Sequence, residues 1–246
     1  MHPQGDRHAA GAVAQIAGKA DRVFVRNGLP NRRSVVGQTD ADMARRHAEV
    51  FLDVLRGEGF AQPNPRPMFP NPPGLLRFEP HAQGLRDRIW WGAGSNATAV
   101  WAAEKGMNLQ SSTLKNDEGA LPFHVQQANQ IRAFREAWKS AGHKREPRVS
   151  VSRSIFALVD GRDHDYFGRG NQAEDSIGYI DETTRAIFGR SYAAEPDALI
   201  EELRKDEAIA EADTLLLTVP NQLGGDHGAH VIESILKHVS PALGWR

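Results

Sequence analysis

Short apolar runs alternate with longer amphipathic stretches along the chain from residue 88 onward. The runs at 88–93, 107–112, 148–159 and 214–219 are predicted strands, and the stretches at 96–105, 123–142, 197–212 and 227–239 are predicted helices. In the longest stretch, the apolar residues at helical spacing are Val125, Ala128, Ile131, Phe134 and Trp138. Such alternation favours parallel strands joined by crossover helices, and therefore an α/β barrel or a doubly wound sheet.

The chain before residue 88 is less regular. Residues 1–22 show no periodicity, and the apolar run at 23–25 is a predicted strand. A charged helix is predicted from 40 to 57, and its apolar face consists of Met43, Val50, Phe51, Val54 and Leu55. Residues 61–80 hold seven of the 14 prolines, and because proline removes a backbone donor this region is a predicted extended connection. Residues 160–195 form a predicted polar insertion.

Composition and charge exclude several classes of protein. The 246 residues are 40% hydrophobic and 25% charged, a balance that is typical of a folded domain with a sizeable core. The net charge of −1 gives no general electrostatic basis for binding nucleic acid or an anionic membrane. The absence of cysteine excludes disulfides, thiolate catalysis and sulfur-ligated metal sites. Because no signal peptide or membrane span is recognisable either, we expect a cytoplasmic protein.

The turn after the first of these strands carries the strongest chemical signal. Gly94 and Ser95 lead into a predicted helix whose first turn contains Asn96 and Thr98. Free backbone N–H groups and the positive end of the helix dipole bind anions, and two hydroxyls three residues apart can face one phosphate. Ser95 is equally well explained as a helix N-cap alone.

A dinucleotide-binding interpretation of the same turn is weaker. Gly92, Gly94 and Ala97 fit the glycine-rich fingerprint of that class. The fingerprint also requires an acidic residue at the end of the next strand, and no carboxylate follows until Asp117.

Several segments resemble the luciferase-like flavin-dependent oxidoreductases, a family of monooxygenases. The matching segments, in order, are 89–95, 101–109, 148–154, 212–224 and 238–245, so the resemblance covers about 48–246 and leaves 1–47 as an atypical segment of one domain, 1–246. The resemblance implies a (β/α)₈ TIM barrel that is incomplete at its N-terminal side, because the family's first βα units have no counterpart here. Three explanations are left open: a truncated product, a compact relative that dimerises, and a chain that needs a partner.

The resemblance also implies a site. The family binds the phosphate of FMN through a pattern that falls here on Ala93, Ser95, Thr98 and Trp101, with Gly94 at a position where some members have glutamate. The predicted cofactor-binding residues are therefore Gly94, Ser95, Asn96 and Thr98, joined by Ser111, Ser112 and Arg153 at the ends of later strands. Arg153 facing outward would instead be an ordinary ion-paired residue. Asn221 and Gln222 are either ligand contacts or structural loop amides.

The function implied by the resemblance is oxidation of a small organic substrate with reduced FMN and O₂. A 5-deazaflavin coenzyme with hydride transfer is the alternative within the same fold, and a non-catalytic flavin-binding relative is the alternative outside enzymology. The expected partners are a second copy of the chain, as a homodimer or larger, and a flavin reductase that supplies reduced FMN. The substrate and the catalytic residues stay unassigned.

Histidines invite a metal hypothesis, since the chain has 10 of them. His227 and His230 are three apart at the start of the last predicted helix and can share a face. A metal site usually needs a third protein ligand, and the sequence around them offers no obvious one, so no metal site is predicted. His124, at the start of the long helix, is a candidate for a capping or pocket role.

Overall fold

The structure is a computed structural model that describes residues 40–168, 174–180, 182 and 184–245, so the predicted strand at 23–25 lies outside the described residues. The chain divides into two compact units, Met1–Arg86 and Asp87–Arg246, while its assignment as one domain stays a prediction. None of the helices described combines the length and the apolar character that crossing a membrane requires.

The described part of the first unit consists of one helix and an extended segment. Helix α1 (Asp40–Val54) confirms the predicted helix, but its buried face differs from the predicted one. Leu52, Val54 and Leu55 are buried, whereas Met43 and Phe51 are exposed. The proline-rich segment contains no helix and is held by an isolated antiparallel bridge between Ala61 and Leu76.

The second unit contains alternating strands and helices over its described residues. In chain order they are β1 (Trp90–Gly92), α2 (Asn96–Glu104), β2 (Asn108–Ser111), β3 (Leu114–Asn116), α3 (Phe123–Ser140), β4 (Val149–Arg153), β5 (Ile155–Ala157), α4 (Gly161–Phe167), β6 (Ser176–Tyr179), β7 (Arg185–Phe188), β8 (Tyr192–Ala194), α5 (Pro196–Leu203), α6 (Glu207–Glu211), β9 (Thr214–Leu217), α7 (Gly225–His238) and α8 (Ser240–Leu243). Each strand and helix predicted from residue 88 onward has a counterpart of the same kind, but the strand predicted at 148–159 is divided into β4 and β5, and β3 and α4 were not predicted.

Four of these strands form one parallel sheet in the order β1-β2-β4-β9. Each strand is joined to its neighbour through helical crossovers, as the alternation predicts. The α/β class with a parallel sheet is therefore established. The described strands do not close into a barrel, since the sheet is open at β1 and β9.

The structure differs from the prediction in two further places. The region at 160–195, predicted as a polar insertion, includes β6 and β7, which form a small antiparallel sheet with β3, and β8, which pairs in parallel with β5. The single helix predicted at 197–212 is two helices. Asp206 lies between them and is the N-cap of the second helix, α6. Its side chain accepts the backbone N–H of Ile209 at 3.0 Å, and a carboxylate at this position stabilises the start of a new helix.

The two faces of the parallel sheet differ in character. One face includes Leu109 and Val151, both buried, and contacts the helices, as the edge-on packing of Trp91 against Trp101 of α2 shows, with ring centroids 4.9 Å apart. The opposite face includes Gln110, which is half-buried, and Leu216, which is 44% exposed. Because side chains alternate along a strand, each residue of the strands is assigned to one face by its position.

Candidate functional site

The start of helix α2 is the centre of the candidate site. Ser95 is the N-cap: its Oγ accepts the backbone N–H of Thr98 at 3.2 Å and lies 2.9 Å from the hydroxyl of Thr98. Gly94 is held nearby, because its carbonyl accepts the backbone N–H of Asn116 at 2.7 Å. The capping role of Ser95 is thus established, and the two hydroxyls lie together as a shared anion site requires.

A carboxylate already interacts with this helix end. The backbone N–H of Asn96 donates to both carboxylate oxygens of Glu118, at 3.0 and 3.3 Å. Negative charge is favourable here because the first N–H groups of a helix have no intrahelical partner and carry the positive end of the dipole. The structure therefore shows that the start of α2 accepts an anionic oxygen group.

Glu118 is paired with a buried cation. Lys115 has a side chain that is 1% exposed, and its Nζ donates to Glu118 Oε2 at 2.7 Å and to the carbonyl of Asn116 at 3.1 Å. Burial of an ammonium is costly unless it is paired, so an anion beside Lys115 is an energetic requirement of this fold. Lys115 is a residue that sequence reasoning missed, since a lysine in a polar loop is usually solvent-exposed.

Glutamine side chains from α3 hold this loop in place. Gln126 accepts the backbone N–H of Glu118 at 3.2 Å and donates to Asp117 Oδ1 at 3.1 Å. The hydrogen bond from Gln126, opposed by partial desolvation, holds the pKa of Asp117 below its usual value, so this carboxylate is anionic at neutral pH. Gln130 donates to the carbonyl of Ala93 at 3.2 Å. The buried glutamines of α3 therefore organise both sides of the helix start.

Ser111 and Ser112 lie at the end of β2, as predicted, but Ser111 faces the helices. Its hydroxyl donates to Gln130 Oε1 at 2.9 Å and accepts from Gln127 Nε2 at 2.8 Å, and the residue is fully buried. Ser112 is exposed, and its carbonyl accepts from Gln127 at 2.7 Å. A cofactor role for either residue stays a prediction, although Gln130 does link Ser111 to the turn before Ser95.

A polar row lies on the opposite face of the sheet. Ser150 donates to Gln110 Oε1, and Gln110 Nε2 donates to Ser152 Oγ at 3.1 Å. Gln110 and Ser152 are half-buried. These side chains lie near the carboxyl ends of their strands, where ligands bind to parallel α/β sheets. Sequence reasoning instead selected Ser111 and Arg153. Each follows Gln110 or Ser152 by one residue and therefore lies on the other face of the sheet.

Arg153 is part of a buried ion pair on the helix-covered face. Its side chain is 2% exposed and that of Asp206 is fully buried, with Nε–Oδ2 and Nη2–Oδ1 distances of 2.7 and 3.0 Å. The hydroxyl of Tyr192 also donates to Asp206, at 2.7 Å. A ligand role for Arg153 stays a prediction, and the structure assigns its guanidinium to a bidentate pair.

The titration of this cluster follows from its burial. Burial, the largest influence, would raise the pKa of Asp206, but the hydrogen bonds and charge of Arg153, with those from Ile209 and Tyr192, bring it below its usual value. Burial, reinforced by the Asp206 carboxylate, raises the pKa of Tyr192 to about 12. At neutral pH the cluster therefore contains a charged pair and a neutral phenol.

A cavity of about 250 Å³ adjoins the ion pair. Its lining residues are Pro122, Phe123, His124, Arg153, Glu174, Asp175, Arg190 and Tyr192. None of the residues at the start of α2 contributes to it.

The ring nitrogen Nδ1 of His124 accepts the backbone N–H of Glu207 at 3.3 Å, which supports a capping role for this histidine. Asn221 and Gln222 are exposed in a short 3₁₀ helix after β9.

Comparison with known proteins gives a fold likeness. No protein-family model matches the chain, and no curated protein matches it. The crystal structure of the monooxygenase RslO1 from Streptomyces bottropensis is similar, with a TM-score of 0.55 and 14% identity. The match covers 85% of this chain and 63% of RslO1, so the chain spans less than two thirds of that protein. Apo-MsnO8 matches with a TM-score of 0.47 at 14% identity, over 92% of this chain and 65% of its own.

Proposed function

We propose that the chain binds FMN and belongs functionally to the flavin-dependent monooxygenases, with the phosphate held at the start of α2. The observation that carries the proposal is the capped helix start, where an N–H of α2 and the buried Lys115 already hold a carboxylate. The fold likeness to a monooxygenase supports the class of reaction. The sequence resemblance to luciferase-like oxidoreductases supports the cofactor.

The donors around α2 fit a phosphate monoester. Asn96 offers a backbone N–H, Ser95 and Thr98 offer hydroxyls, and Lys115 offers an ammonium, so the anion meets donors of three kinds. A phosphate with roughly −2 charge at neutral pH interacts more strongly with such donors than a single carboxylate does. Glu118 has to leave for the phosphate to bind, and because its side chain is 31% exposed it can turn into solvent.

The polar face of the sheet is the proposed neighbour of the flavin ring. Gln110 and Ser152 supply hydrogen-bonding groups there, on the face of the sheet where the side chain of Leu216 is exposed to solvent. When bound, reduced flavin supplies the electrons and reacts with O₂, and the protein binds, orients and shields the reactants. The substrate class proposed is a small organic molecule.

Flavin titration tests the proposal. The fluorescence of FMN should be quenched or shifted when FMN binds, with a defined stoichiometry. Riboflavin, which lacks the phosphate, should bind about 100-fold more weakly or worse, because two or more hydrogen bonds to a charged group are lost. Equal affinities for FMN and riboflavin, or no binding of either, contradict the proposal. Preferential binding of a 5-deazaflavin coenzyme assigns the alternative cofactor.

A turnover assay separates an enzyme from a binding protein. With reduced FMN, O₂ and a panel of aldehydes and ketones, a monooxygenase forms oxygenated product, whereas a non-catalytic flavin-binding protein releases only hydrogen peroxide. The same assay with a flavin reductase supplying reduced FMN tests the predicted reductase partner.

Replacing Glu118 with glutamine should tighten FMN binding roughly tenfold, because the competing charge-assisted hydrogen bonds to the site are weakened. The variant should also be less stable without ligand, since Lys115 loses its anionic partner, and inorganic phosphate should restore part of that stability. Titration and thermal unfolding measure both effects. Glu104→Gln, at the exposed far end of α2, is the charge-matched control. Weaker FMN binding by Glu118→Gln would mean that Glu118 assists the ligand.

We expect a homodimer or larger assembly in solution. The outer strands β1 and β9 each have one unpaired side among the described residues, and open edges of this kind favour association with another chain. Light scattering at several concentrations should report at least twice the 27.1 kDa mass of the chain. A monomer at all concentrations contradicts this expectation.

A further inference from the structure

Two aspartates and a histidine meet at the junction of α4 and α7. Asp160 and Asp163 lie at the start of α4, and His230 lies on α7, 67 residues beyond Asp163. His230 Nε2 is 3.0 Å from each carboxylate oxygen of Asp163 and 3.8 Å from Asp160 Oδ2. One possible ligand atom from each residue lies within 4.8 Å of the other two.

The capping of α4 orients both carboxylates. Asp160 uses Oδ1 to accept the backbone N–H of Asp163 at 2.9 Å. Asp163 uses Oδ2 to accept the N–H groups of Val159 and Asp160, at 3.1 and 3.2 Å. The oxygens that accept no backbone N–H in this cap, Asp160 Oδ2 and Asp163 Oδ1, both lie near His230 Nε2, as does Asp163 Oδ2. The helix cap therefore acts as a preformed outer shell that holds the two oxygens in place.

The cluster carries more negative charge than its histidine balances. Asp163 is 2% exposed, and a carboxylate buried to this extent requires partners that offset its charge. A single imidazole balances at most one carboxylate, and Arg162 approaches Asp160 only as an exposed side chain, 3.8 Å away. A divalent cation would balance both carboxylates.

A neighbouring histidine gives an independent indication of a ligand. His227 is 5% exposed, and within the part of the chain that the structure describes neither of its ring nitrogens has a hydrogen-bond partner. Its ring lies 5.7 Å from that of His230, one helical turn away on α7. Buried polar groups without a partner are rare in folded proteins and call for an explanation, such as an ion with its bound water.

We propose that Asp160, Asp163 and His230 bind a divalent transition-metal ion, with zinc as the probe ion that suits this donor set. Metal–ligand bonds of about 2.0–2.2 Å place tetrahedral ligands about 3.3–3.6 Å apart, between the two distances found here. Three protein ligands leave one coordination position for water. The sequence analysis singled out His230 as one half of a histidine pair, but the two aspartate ligands come from a distant segment.

Calorimetric titration of the chelator-treated protein with Zn²⁺ tests the site, and Co²⁺ absorption provides a spectroscopic readout of the ligand geometry. The wild type should bind one tight equivalent. Asp160→Asn keeps a capping oxygen but loses the second carboxylate oxygen, and His230→Gln loses the imidazole, so each should weaken binding at least about tenfold. The matched control is His164→Gln, which replaces an exposed histidine of α4 and should bind Zn²⁺ as the wild type does.

Zinc should also raise the unfolding temperature of the wild type and leave that of His230→Gln unchanged, because only a ligand of the native state stabilises it. This readout is independent of flavin binding and activity. The proposal is overturned if Zn²⁺ shows no saturable binding, or if Asp160→Asn and His230→Gln bind it as tightly as the wild type. Its failure would leave the proposed flavin site unaffected.

Discussion

Replacing Ser95 with alanine and Thr98 with valine together should raise the dissociation constant of FMN about 100-fold or more. Each hydroxyl lost from a charged phosphate removes roughly 1.5–3 kcal/mol of binding free energy, and about 1.4 kcal/mol corresponds to a tenfold change. The hydroxyls lie 2.9 Å apart at the start of α2, so one phosphate can contact both. Fluorescence titration with FMN measures the change.

Stability has to be separated from binding, because Ser95 also caps α2. Alanine at an N-cap costs about 1 kcal/mol of stability, so unfolding of each variant is measured alongside the titration. Ser95→Asp is the matched variant, since aspartate caps equally well but sets a negative charge against the phosphate. It should fold as the wild type does and lose FMN binding. Unchanged affinity in both variants would mean that the phosphate binds elsewhere.

Asp206→Asn should destabilise the protein by about 3–5 kcal/mol, the cost typical of leaving one partner of a buried ion pair uncompensated. Asparagine preserves the cap of α6, so the variant isolates the loss of charge beside Arg153. Denaturant unfolding measures the difference. The neighbouring Glu207→Gln, in an exposed pair with Arg132, should change stability little.

The double variant Arg153→Met with Asp206→Asn distinguishes a buried pair from general damage. Removing both charges should recover a large part of the lost stability, because a neutral pair needs no compensation in the interior. Losses that simply add in the double variant would show that the two residues act independently.

The contribution of Asp206 also has a definite pH dependence. Its pKa in the folded state lies below the ordinary value of a carboxyl group, so the stabilisation is present above the unfolded pKa, about 4, and is lost as the pH falls through the folded pKa. The difference between wild type and Asp206→Asn should therefore be constant near neutral pH and shrink in acid. A difference that grows in acid would contradict the assignment.

Local sequence pattern determined most elements of the second unit, although it did not predict β3, β6, β7 and β8. Apolar periodicity predicted α3 and its buried residues Ala128, Ile131, Phe134 and Trp138 because a helix repeats every 3.6 residues whatever it packs against. The small-residue turn before α2 predicted the N-cap at Ser95, which depends only on residues within one helical turn. Periodicity failed on α1, where Leu52 is buried and Phe51 is exposed, since neighbouring apolar residues compete and packing decides between them.

Side-chain direction along the strands was decided by the tertiary structure. Ser111 and Arg153 were predicted from their places at strand ends, yet a shift of one residue reverses the face of the sheet. Alternation in β4 separates Val149 and Val151 from Ser150 and Ser152, but it does not show which of the two faces the helices cover. Only the contacts of Ser111 with α3 and of Arg153 with Asp206 show which side of the sheet these two residues occupy.

The sequence by itself determined where the strands of the parallel sheet, the long helix α3 and the start of α2 lie, because these depend on neighbours within a few residues. Only the tertiary structure decided which distant charges meet. Lys115 in β3 and Glu118 in the loop after it face the start of α2 from a separate segment, Arg153 meets Asp206 53 residues away, and His230 meets Asp163 across 67 residues. Such pairs have no fixed spacing in the chain, since the packing of the elements, rather than any local repeat, sets the distance between them.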